Sequence, residues 1–409
     1  MSGARLVVTL PPHTPASQAR DLAVDARRRG AELLELRTDL QPSELDPRPL
    51  ASVLELIVSE RGAPVPEAWA RAAAWIDRDV TTASPAPTQA LCSHHAHAPL
   101  SPDDAVGLWS SARVPPDAQV KHVEPLGSPL QAARLWETRR RLAERFGPKR
   151  LTVLATGPYA LPFRCALSEE NALDYVALSA DWVAAPGQRL LDDAVRARRA
   201  SGPRLGIFGT RIGHSRSPRI HRPPFDRLDL PEDAPLGELL DALRPHYRGF
   251  AITSPFKKAA AARLGGALEA VNTVVRRGDG WAGFNTDVAG AEAVLLKLGS
   301  RTVSVLGEGG VATALRTAAS DQGVALHFVR RASIPREPLT GAAVWTWPDG
   351  IAAPEGLSFR DARVAVVAYG AAARRIAAEI ASRGGHPLLL GARWFIAQAR
   401  RQRQLWETA

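Results

Sequence analysis

The sequence predicts an α/β protein in which a (β/α)8 barrel is followed by a second α/β region with its own parallel sheet. Three observations lead to this prediction. About 200 residues at the start alternate eight short apolar runs with helical stretches, a new alternating pattern follows, and a glycine-rich turn, GEGGVA, interrupts that second pattern. A chain of 409 residues is also too long for one ordinary domain.

Eight apolar runs predict the strands of the barrel, which we place at residues 1–200. Several runs are continuously apolar, as strands buried on both faces of a parallel sheet are. Helical patterns at 16–29, 103–112, 128–146 and 188–200 fall between most of them, as a compact barrel requires. The predicted strands are 5–10, 32–39, 55–61, 73–80, 89–95, 118–124, 150–157 and 174–181.

The second region begins after a short linker, 198–204. We predict two further domains, 204–290 and 291–390, and a C-terminal helical segment, 391–409, that returns to the first of them. A long helix is predicted at 287–299. The predicted strands are 204–209, 249–254, 271–275, 302–306, 325–331, 342–347, 364–369 and 387–391.

Composition favours a protein that acts on small molecules. No apolar run approaches the roughly 20 residues of a membrane span, and the start lacks the apolar core of a signal peptide. The net charge of +10 comes from arginines spread along the chain, without the clustered basic surface of a nucleic-acid binder. The two cysteines, Cys92 and Cys165, are too few for a disulfide framework, so we expect a cytoplasmic protein.

Polar side chains stand at the C-terminal ends of the predicted barrel strands, where such barrels carry their active sites. Lys121 closes an apolar strand, and burial among arginines would keep part of it neutral, as imine formation on a ketone requires. His95, one strand earlier, has the chemistry of a general base and acid, and arginines suit a substrate carboxylate. The set is Glu35, Arg37, Asp39, Arg61, Asp79, His95, Lys121, Arg164 and Gln188.

Each of these residues alone also fits a structural role. Lys121 has the length to extend from a strand end to solvent, and Glu35 with Arg37 has the spacing of an ion pair. In the SHHAH segment, His94 or His97 is an alternative to His95.

The whole set resembles the type I 3-dehydroquinate dehydratases. The resemblance implies that Lys121 forms a Schiff base with the C3 ketone of 3-dehydroquinate. It implies that His95 removes the C2 proton and helps to expel the C1 hydroxyl, and that Glu35 orients His95. Substrate contacts are implied for Arg37, Arg61, Arg164 and Gln188. The matching segments are 35–39, 59–61, 77–79, 93–95, 120–121, 157–164 and 184–188.

Three motifs carry the chemistry of the second region: GIFGTRIGHSRSPRIH (206–221), GFAITSPFKK (249–258) and GFNTD (283–287). The two serines of the first motif can bind a carboxylate or a diol. Lys257 and Asp287, from the other two motifs, form a pair that can supply and recover a proton beside a ketone.

A dinucleotide site is predicted at GEGGVA (307–312), between a strand and a helix. Glycines there allow the backbone to approach a diphosphate, which the helix N-terminus attracts. The next predicted strand ends in Arg330 and Arg331 without an acidic residue, which favours the 2′-phosphate of NADP over NAD.

Residues 204–408 resemble the shikimate dehydrogenases. The resemblance makes 204–290 the substrate-binding domain, 291–390 the Rossmann NADP-binding domain, and Lys257 with Asp287 the catalytic pair. The implied shikimate ligands are Ser215, Ser217, Thr253, Asn272, Asp287, Tyr369 and Gln398. The implied NADP ligands are Gly307, Gly309, Gly310, Arg330 and Arg331.

The order of the two halves resembles the bifunctional dehydratase–dehydrogenase of plants. Both halves depart from their families, since Ala184, Asp79, Ala251, Trp345 and Val366 replace usual residues. A quinate/shikimate-type dehydrogenase with a degenerate barrel, or a non-catalytic ligand-binding regulatory relative, therefore remains an alternative. No metal is expected, and oligomeric state and channelling are left open.

Overall fold

A computed structural model describes residues 3–82, 90–264, 266, 268–348, 350–351 and 353–408, apart from the side chain of His214. Gln89, the first residue of the predicted fifth strand, lies outside this description. The chain divides into two compact units, Met1–Tyr247 (unit 1) and Arg248–Ala409 (unit 2). The domain limits near residues 200 and 290 stay predictions.

Unit 1 contains a nearly closed barrel of parallel strands, as predicted. The strand order is β7-β6-β5-β4-β3-β2-β1-β8. Two hydrogen bonds connect the beginnings of β7 and β8, the strands at the two ends of this order. Ala172 N donates to Leu151 O at 2.8 Å, and Leu173 N donates to Thr152 Oγ1 at 3.0 Å. The strands are β1 Arg5–Thr9, β2 Leu33–Arg37, β3 Glu55–Ser59, β4 Ala73–Asp79, β5 Ala90–His95, β6 Gln119–Pro125, β7 Leu151–Thr156 and β8 Leu173–Val176.

Apolar side chains fill the inside of the barrel, and a second core lies between strands and helices. Inward residues such as Val7, Ile57 and Leu91 are fully buried, which is why apolar residues dominate these strands. The helices of the barrel are α1 Ala16–Arg29, α2 Arg48–Ala51, α3 Glu67–Ala72, α4 Pro102–Ser111, α5 Gln131–Phe146, α6 Ala160–Leu167 and α7 Leu191–Arg199.

Two parallel strands follow the barrel in unit 1, β9 Leu205–Gly209 and β10 Phe225–Asp229. Between them lie a 3-10 turn, Ile212–His214, and the short helix α8, Ser217–Ile220; α9, Leu236–Leu243, comes after. The sequence did not predict β10, because its segment FDRLD lacks an apolar run.

Unit 2 begins with three antiparallel strands, which pair in the order β11-β12-β13. A parallel sheet of Rossmann type follows in the order β15-β14-β16-β17-β18, which confirms the predicted core. The strands are β11 Gly249–Ile252, β12 Thr273–Arg277, β13 Gly280–Phe284, β14 Thr302–Leu306, β15 Ala325–Val329, β16 Ala342–Trp345, β17 Arg363–Val366 and β18 His386–Leu389.

Helix packing in unit 2 leaves no space for side chains at certain glycines. A Cβ at Gly290 would lie 2.8 Å from the ring of Trp394, so two helices approach closely there. None of the helices in the described part of the chain has the length and apolar content to cross a membrane. The helices are α10 Lys257–Leu264, α11 Asp287–Leu298, α12 Gly310–Gln322, α13 Ala371–Ser382 and α14 Gly391–Glu407.

Asp226 is the buried centre of the polar contacts of β10. Its carboxylate accepts from Arg204 Nη1 at 2.6 Å and from the hydroxyl of Tyr247 at 2.9 Å, and its other oxygen lies 3.6 Å from Arg189 Nη1. A buried carboxylate is stable only with such partners, and the buried arginines are in turn stabilised by its negative charge.

We expect Asp226→Ala to lower the free energy of unfolding by about 3–5 kcal/mol, because it removes a buried negative charge from Arg204 and Arg189, which keep Glu169 and Asp174, and removes the acceptor of the Tyr247 hydroxyl. The matched control is Glu144→Ala, which removes the carboxylate from a solvent-exposed pair with Arg140 and should change stability by less than about 1 kcal/mol. Urea denaturation measures both. Equal midpoints for the two variants would contradict the prediction.

Candidate active sites

A cavity of about 510 Å³ opens at the C-terminal ends of the barrel strands. Its walls include Thr9, Asp79, Tyr175 and the loop residues Ala184 and Ala185. The structure therefore brings together every predicted barrel site residue except Asp39, which pairs with Arg37 instead. Besides Asp79, seven predicted residues line the cavity. These are Glu35, Arg37, Arg61, His95, Lys121, Arg164 and Gln188.

Lys121 and Asp77 form a buried ion pair beside this cavity. The side chains are 3% and 0% exposed, and Lys121 Nζ donates to Asp77 Oδ2. The same oxygen accepts from Arg61 Nη2 at 3.0 Å and from Ser59 Oγ at 3.1 Å. On its other side, the lysine nitrogen lies 3.4 Å from the hydroxyl of Tyr175 and 4.7 Å from the centroid of that ring.

This environment lowers the pKa of Lys121, as the sequence predicted. Burial is the main cause and Arg61 adds to it, although Asp77 acts in the opposite direction. Burial would raise the pKa of Asp77, but Lys121 and Arg61 more than offset this and hold that pKa well below its ordinary value. The amine thus gives up its proton more readily than an exposed lysine does, while the carboxylate beside it stays ionised.

His95 lies at the mouth of the same cavity with a lowered pKa. Burial is the largest cause, and the positive charges of Lys121 and Arg61 add to it, whereas Asp79 raises the pKa. Its Nδ1 lies 3.8 Å from Asp79 Oδ2, and its Nε2 is 3.4 Å from Arg61 Nη2. A histidine held neutral in this way can accept a proton.

The structure corrects the role implied for Glu35, which was to orient His95. Both carboxylate oxygens of Glu35 accept from hydroxyls on neighbouring strands, from Thr9 Oγ1 at 2.6 Å and Ser59 Oγ at 2.6 Å. Asp79 is the carboxylate beside His95, because β4 and β5 are adjacent and in register there. Glu35 instead fixes the wall of the cavity.

The predicted carboxylate ligands of the barrel are already held by protein groups. Arg37 pairs with Asp39 through two hydrogen bonds of 3.0 and 2.7 Å, and Arg164 Nη2 donates to Tyr175 O at 2.8 Å. Gln188 Oε1 accepts from Ala184 N at 2.8 Å, so this side chain stabilises its own loop. These contacts orient the three side chains along the cavity wall.

The loop that carries Gln188 packs against helix α6. Gly187 has a φ of +89°, and a Cβ there would lie 2.5 Å from the Cβ of Ala160 and 3.1 Å from Leu161 N. Only glycine therefore fits at this position. The close contact fixes the loop beside the helix that bears Arg164.

In unit 2, the predicted catalytic pair is in direct contact. Lys257 Nζ donates to Asp287 Oδ2 at 2.6 Å. The two residues begin helices α10 and α11 respectively, and the Asp287 side chain is more deeply buried than that of Lys257. A half-buried ammonium held by a carboxylate is suited to donating a proton to a ligand oxygen.

Asn272 anchors the turn that precedes Asp287. Its Oδ1 accepts from Thr286 N at 2.7 Å, Thr286 Oγ1 at 3.0 Å and Thr273 Oγ1 at 2.9 Å. Gln402 on α14 donates to Thr273 Oγ1 at 3.1 Å. This contact comes from Gln402, one helical turn beyond the half-buried Gln398 that the sequence singled out.

Of four other predicted substrate ligands, three lie on loops and Ser217 begins the short helix α8. Ser215 and Ser217 follow β9 in unit 1, where Ser217 N donates to Ser215 Oγ at 3.3 Å. Thr253 is half-buried after β11, and Tyr369 is 45% exposed with its ring 6.1 Å from that of Phe395. Their part in binding stays a prediction.

The glycine turn has the shape of a dinucleotide cradle. Gly307 has a φ of +119°, and a Cβ there would lie 2.6 Å from Thr346 Oγ1, so this position requires glycine. Gly309 and Gly310 face open space, and α12 begins at Gly310. The turn follows β14, where the strand order reverses, which is where sheets of this type bind ligands.

The predicted 2′-phosphate arginines lie beside this turn. Arg331 stands 5.5 Å from the centroid of Trp347. Arg330 pairs with Glu308, with Nε–Oε2 and Nη2–Oε1 distances of 2.9 and 3.2 Å. The sequence showed no acid at the end of β15, yet the fold supplies one from the glycine turn 22 residues earlier.

Curated relatives match the C-terminal half of the chain. The shikimate dehydrogenase (NADP(+)) of Hyphomonas neptunium is 32% identical over 171 residues, 36% of this chain and 63% of that protein. That of Thermosynechococcus vestitus is 36% identical over 163 residues, 35% of this chain and 56% of that protein. The C-terminal half is similar to the shikimate dehydrogenases. No family model matches the chain.

The alignments with curated shikimate dehydrogenases span 44% to 63% of those relatives' lengths. A solved dehydroquinate dehydratase and shikimate dehydrogenase of S. pombe shares 18% identity, covering 99% of this chain and 96% of its own, with a TM-score of 0.41. The Thermus thermophilus shikimate dehydrogenase solved with NADP(H) and shikimate shares 23% identity, covering 51% and 94%, with a TM-score of 0.44.

We expect Asp79→Asn to lower the pKa of His95 further, because it removes the carboxylate that raises it. Neutral His95 then persists to lower pH. Glu35→Gln is the matched control and should leave the His95 titration unchanged, since Glu35 binds Thr9 and Ser59. Histidine NMR titration measures both variants. A shift in the Glu35 variant alone would restore Glu35 as the orienting group.

Proposed function

We propose that this chain is a bifunctional enzyme of chorismate and aromatic amino acid biosynthesis. The barrel dehydrates 3-dehydroquinate to 3-dehydroshikimate, and the C-terminal half reduces that product to shikimate with NADPH. The observation that carries the proposal is Lys121, a buried amine of lowered pKa beside a cavity that also holds His95 and arginines.

In the barrel, the neutral amine of Lys121 attacks the C3 carbonyl, and water leaves as the imine forms. The positive iminium lies beside the ionised Asp77, which stabilises its charge. Neutral His95 takes the C2 proton, the C1 hydroxyl leaves as water with a proton, and hydrolysis of the iminium returns the amine. Arg37, Arg61, Arg164 and Gln188 serve as the groups that bind carboxylate and hydroxyls.

In the C-terminal half, NADPH would supply, when bound, the hydride for the carbonyl carbon. The ammonium of Lys257 donates a proton to the carbonyl oxygen, and Asp287 orients the lysine at 2.6 Å. Asn272 holds the turn before Asp287, which keeps the pair in place. Gly307, Gly309 and Gly310, with Arg330 and Arg331, form the surface that fits the dinucleotide phosphates.

The proposed ligands are small molecules: 3-dehydroquinate, 3-dehydroshikimate, shikimate and NADP. We place the protein in the cytoplasm, a proposal supported by Cys92 and Cys165, which are both free buried thiols.

Borohydride treatment in the presence of 3-dehydroquinate should attach the ligand irreversibly to Lys121, because reduction fixes an imine. Peptide mass spectrometry locates the adduct. Lys121→Met should abolish it, and the matched control Lys149→Met, at an exposed lysine of the same unit, should retain it. An adduct that persists in Lys121→Met would refute the dehydratase mechanism.

Lys257→Ala should reduce NADPH oxidation with 3-dehydroshikimate by about 10²–10⁴-fold, since it removes the proton donor. Lys258→Ala changes the adjacent exposed lysine and should alter the rate by less than about twofold. The initial rate of NADPH oxidation, followed by absorbance, is compared between the two variants. Similar losses in both variants would remove Lys257 from the catalytic pair.

A further inference from the structure

Glu308 occupies an unusual position for an acidic residue, inside the glycine turn that is shaped for phosphates. Its carboxylate lies between two cations, at 2.9 and 3.2 Å from Arg330 and 3.8 Å from Arg316 Nη2. Arg316 is itself held against Phe328, with its guanidinium 4.3 Å from the ring centroid. Arg330 is the more exposed partner, since 68% of its side chain is accessible against 46% for Arg316.

The position of this carboxylate affects the binding of the two nicotinamide dinucleotides differently. A 2′-phosphate that approaches Arg330 meets a negative charge already paired with that arginine, and must either displace Glu308 or remain beside it. A dinucleotide with a free 2′-hydroxyl brings no charge to this point. The carboxylate therefore opposes one ligand selectively.

From this geometry we infer that Glu308 determines dinucleotide preference: it weakens the binding of 2′-phosphorylated dinucleotides and leaves that of unphosphorylated ones nearly unchanged. The inference rests on the proposed NADPH-dependent reduction and concerns the cofactor site of that same reaction. Arg330 and Arg331 attract the 2′-phosphate, and Glu308 reduces that attraction. The chain consequently discriminates less between NADPH and NADH than its arginines alone would dictate.

The test is equilibrium binding of NADPH and NADH to the full chain, followed by the dinucleotides' own fluorescence without turnover. Glu308→Gln removes the charge while keeping the side-chain size, and should tighten NADPH binding by about fivefold and NADH binding by less than about twofold. High salt should shrink the NADPH effect, because both charges are exposed to solvent. The double variant Glu308→Gln/Arg330→Gln should lose most of the tightening of NADPH binding that Glu308→Gln alone produces.

The matched control is Glu355→Gln, which makes the same change in net charge at an exposed site of unit 2 and should leave both affinities unchanged. Equal tightening of both dinucleotides, or no change in NADPH affinity, would overturn the inference while the proposed function stands. Weaker NADH binding in Glu308→Gln would instead make Glu308 a ribose ligand and also overturn it. If the natural chain binds neither dinucleotide, the proposed reduction and the inference both fail.

Discussion

The buried pair of Lys121 and Asp77 is the interaction on which the barrel site depends. One carboxylate oxygen serves Lys121, Arg61 and Ser59 together, so a single negative charge balances two positive ones away from water. Removing that charge would leave uncompensated cations in the barrel interior, which is strongly unfavourable. The arrangement that makes the amine reactive is therefore also part of what holds the strand ends together.

Much of the barrel was predictable because its strands are apolar runs and its polar residues stand where those runs end. Lys121 was conspicuous for that reason. Its surroundings were not, because periodicity shows which side chains point inward but not which of them meet across the barrel. Tyr175 was not singled out by the sequence analysis. The choice between Glu35 and Asp79 as the partner of His95 depended on side-chain contacts, which the sequence pattern does not show.

In the other half, Lys257 and Asp287 were found through their motifs, and the structure places both at helix starts. The pairing of Glu308 with Arg330 was missed because the two residues belong to different loops, and only the parallel pairing of β14 and β15 brings those loops together. Strand β10 was missed for a related reason. Its central charges are compensated by buried partners distant in sequence, so the usual apolar signal is lacking.

The contact between Gly187 and Ala160 couples two walls of the barrel cavity. There is no spare volume between the Gln188 loop and the first turn of α6, so an inward shift of the loop must push the helix as well. Gln188 and Arg164, though 24 residues apart in the chain, are thus geometrically linked. An enlarged side chain at either position of this contact would reshape both walls at once rather than loosening one.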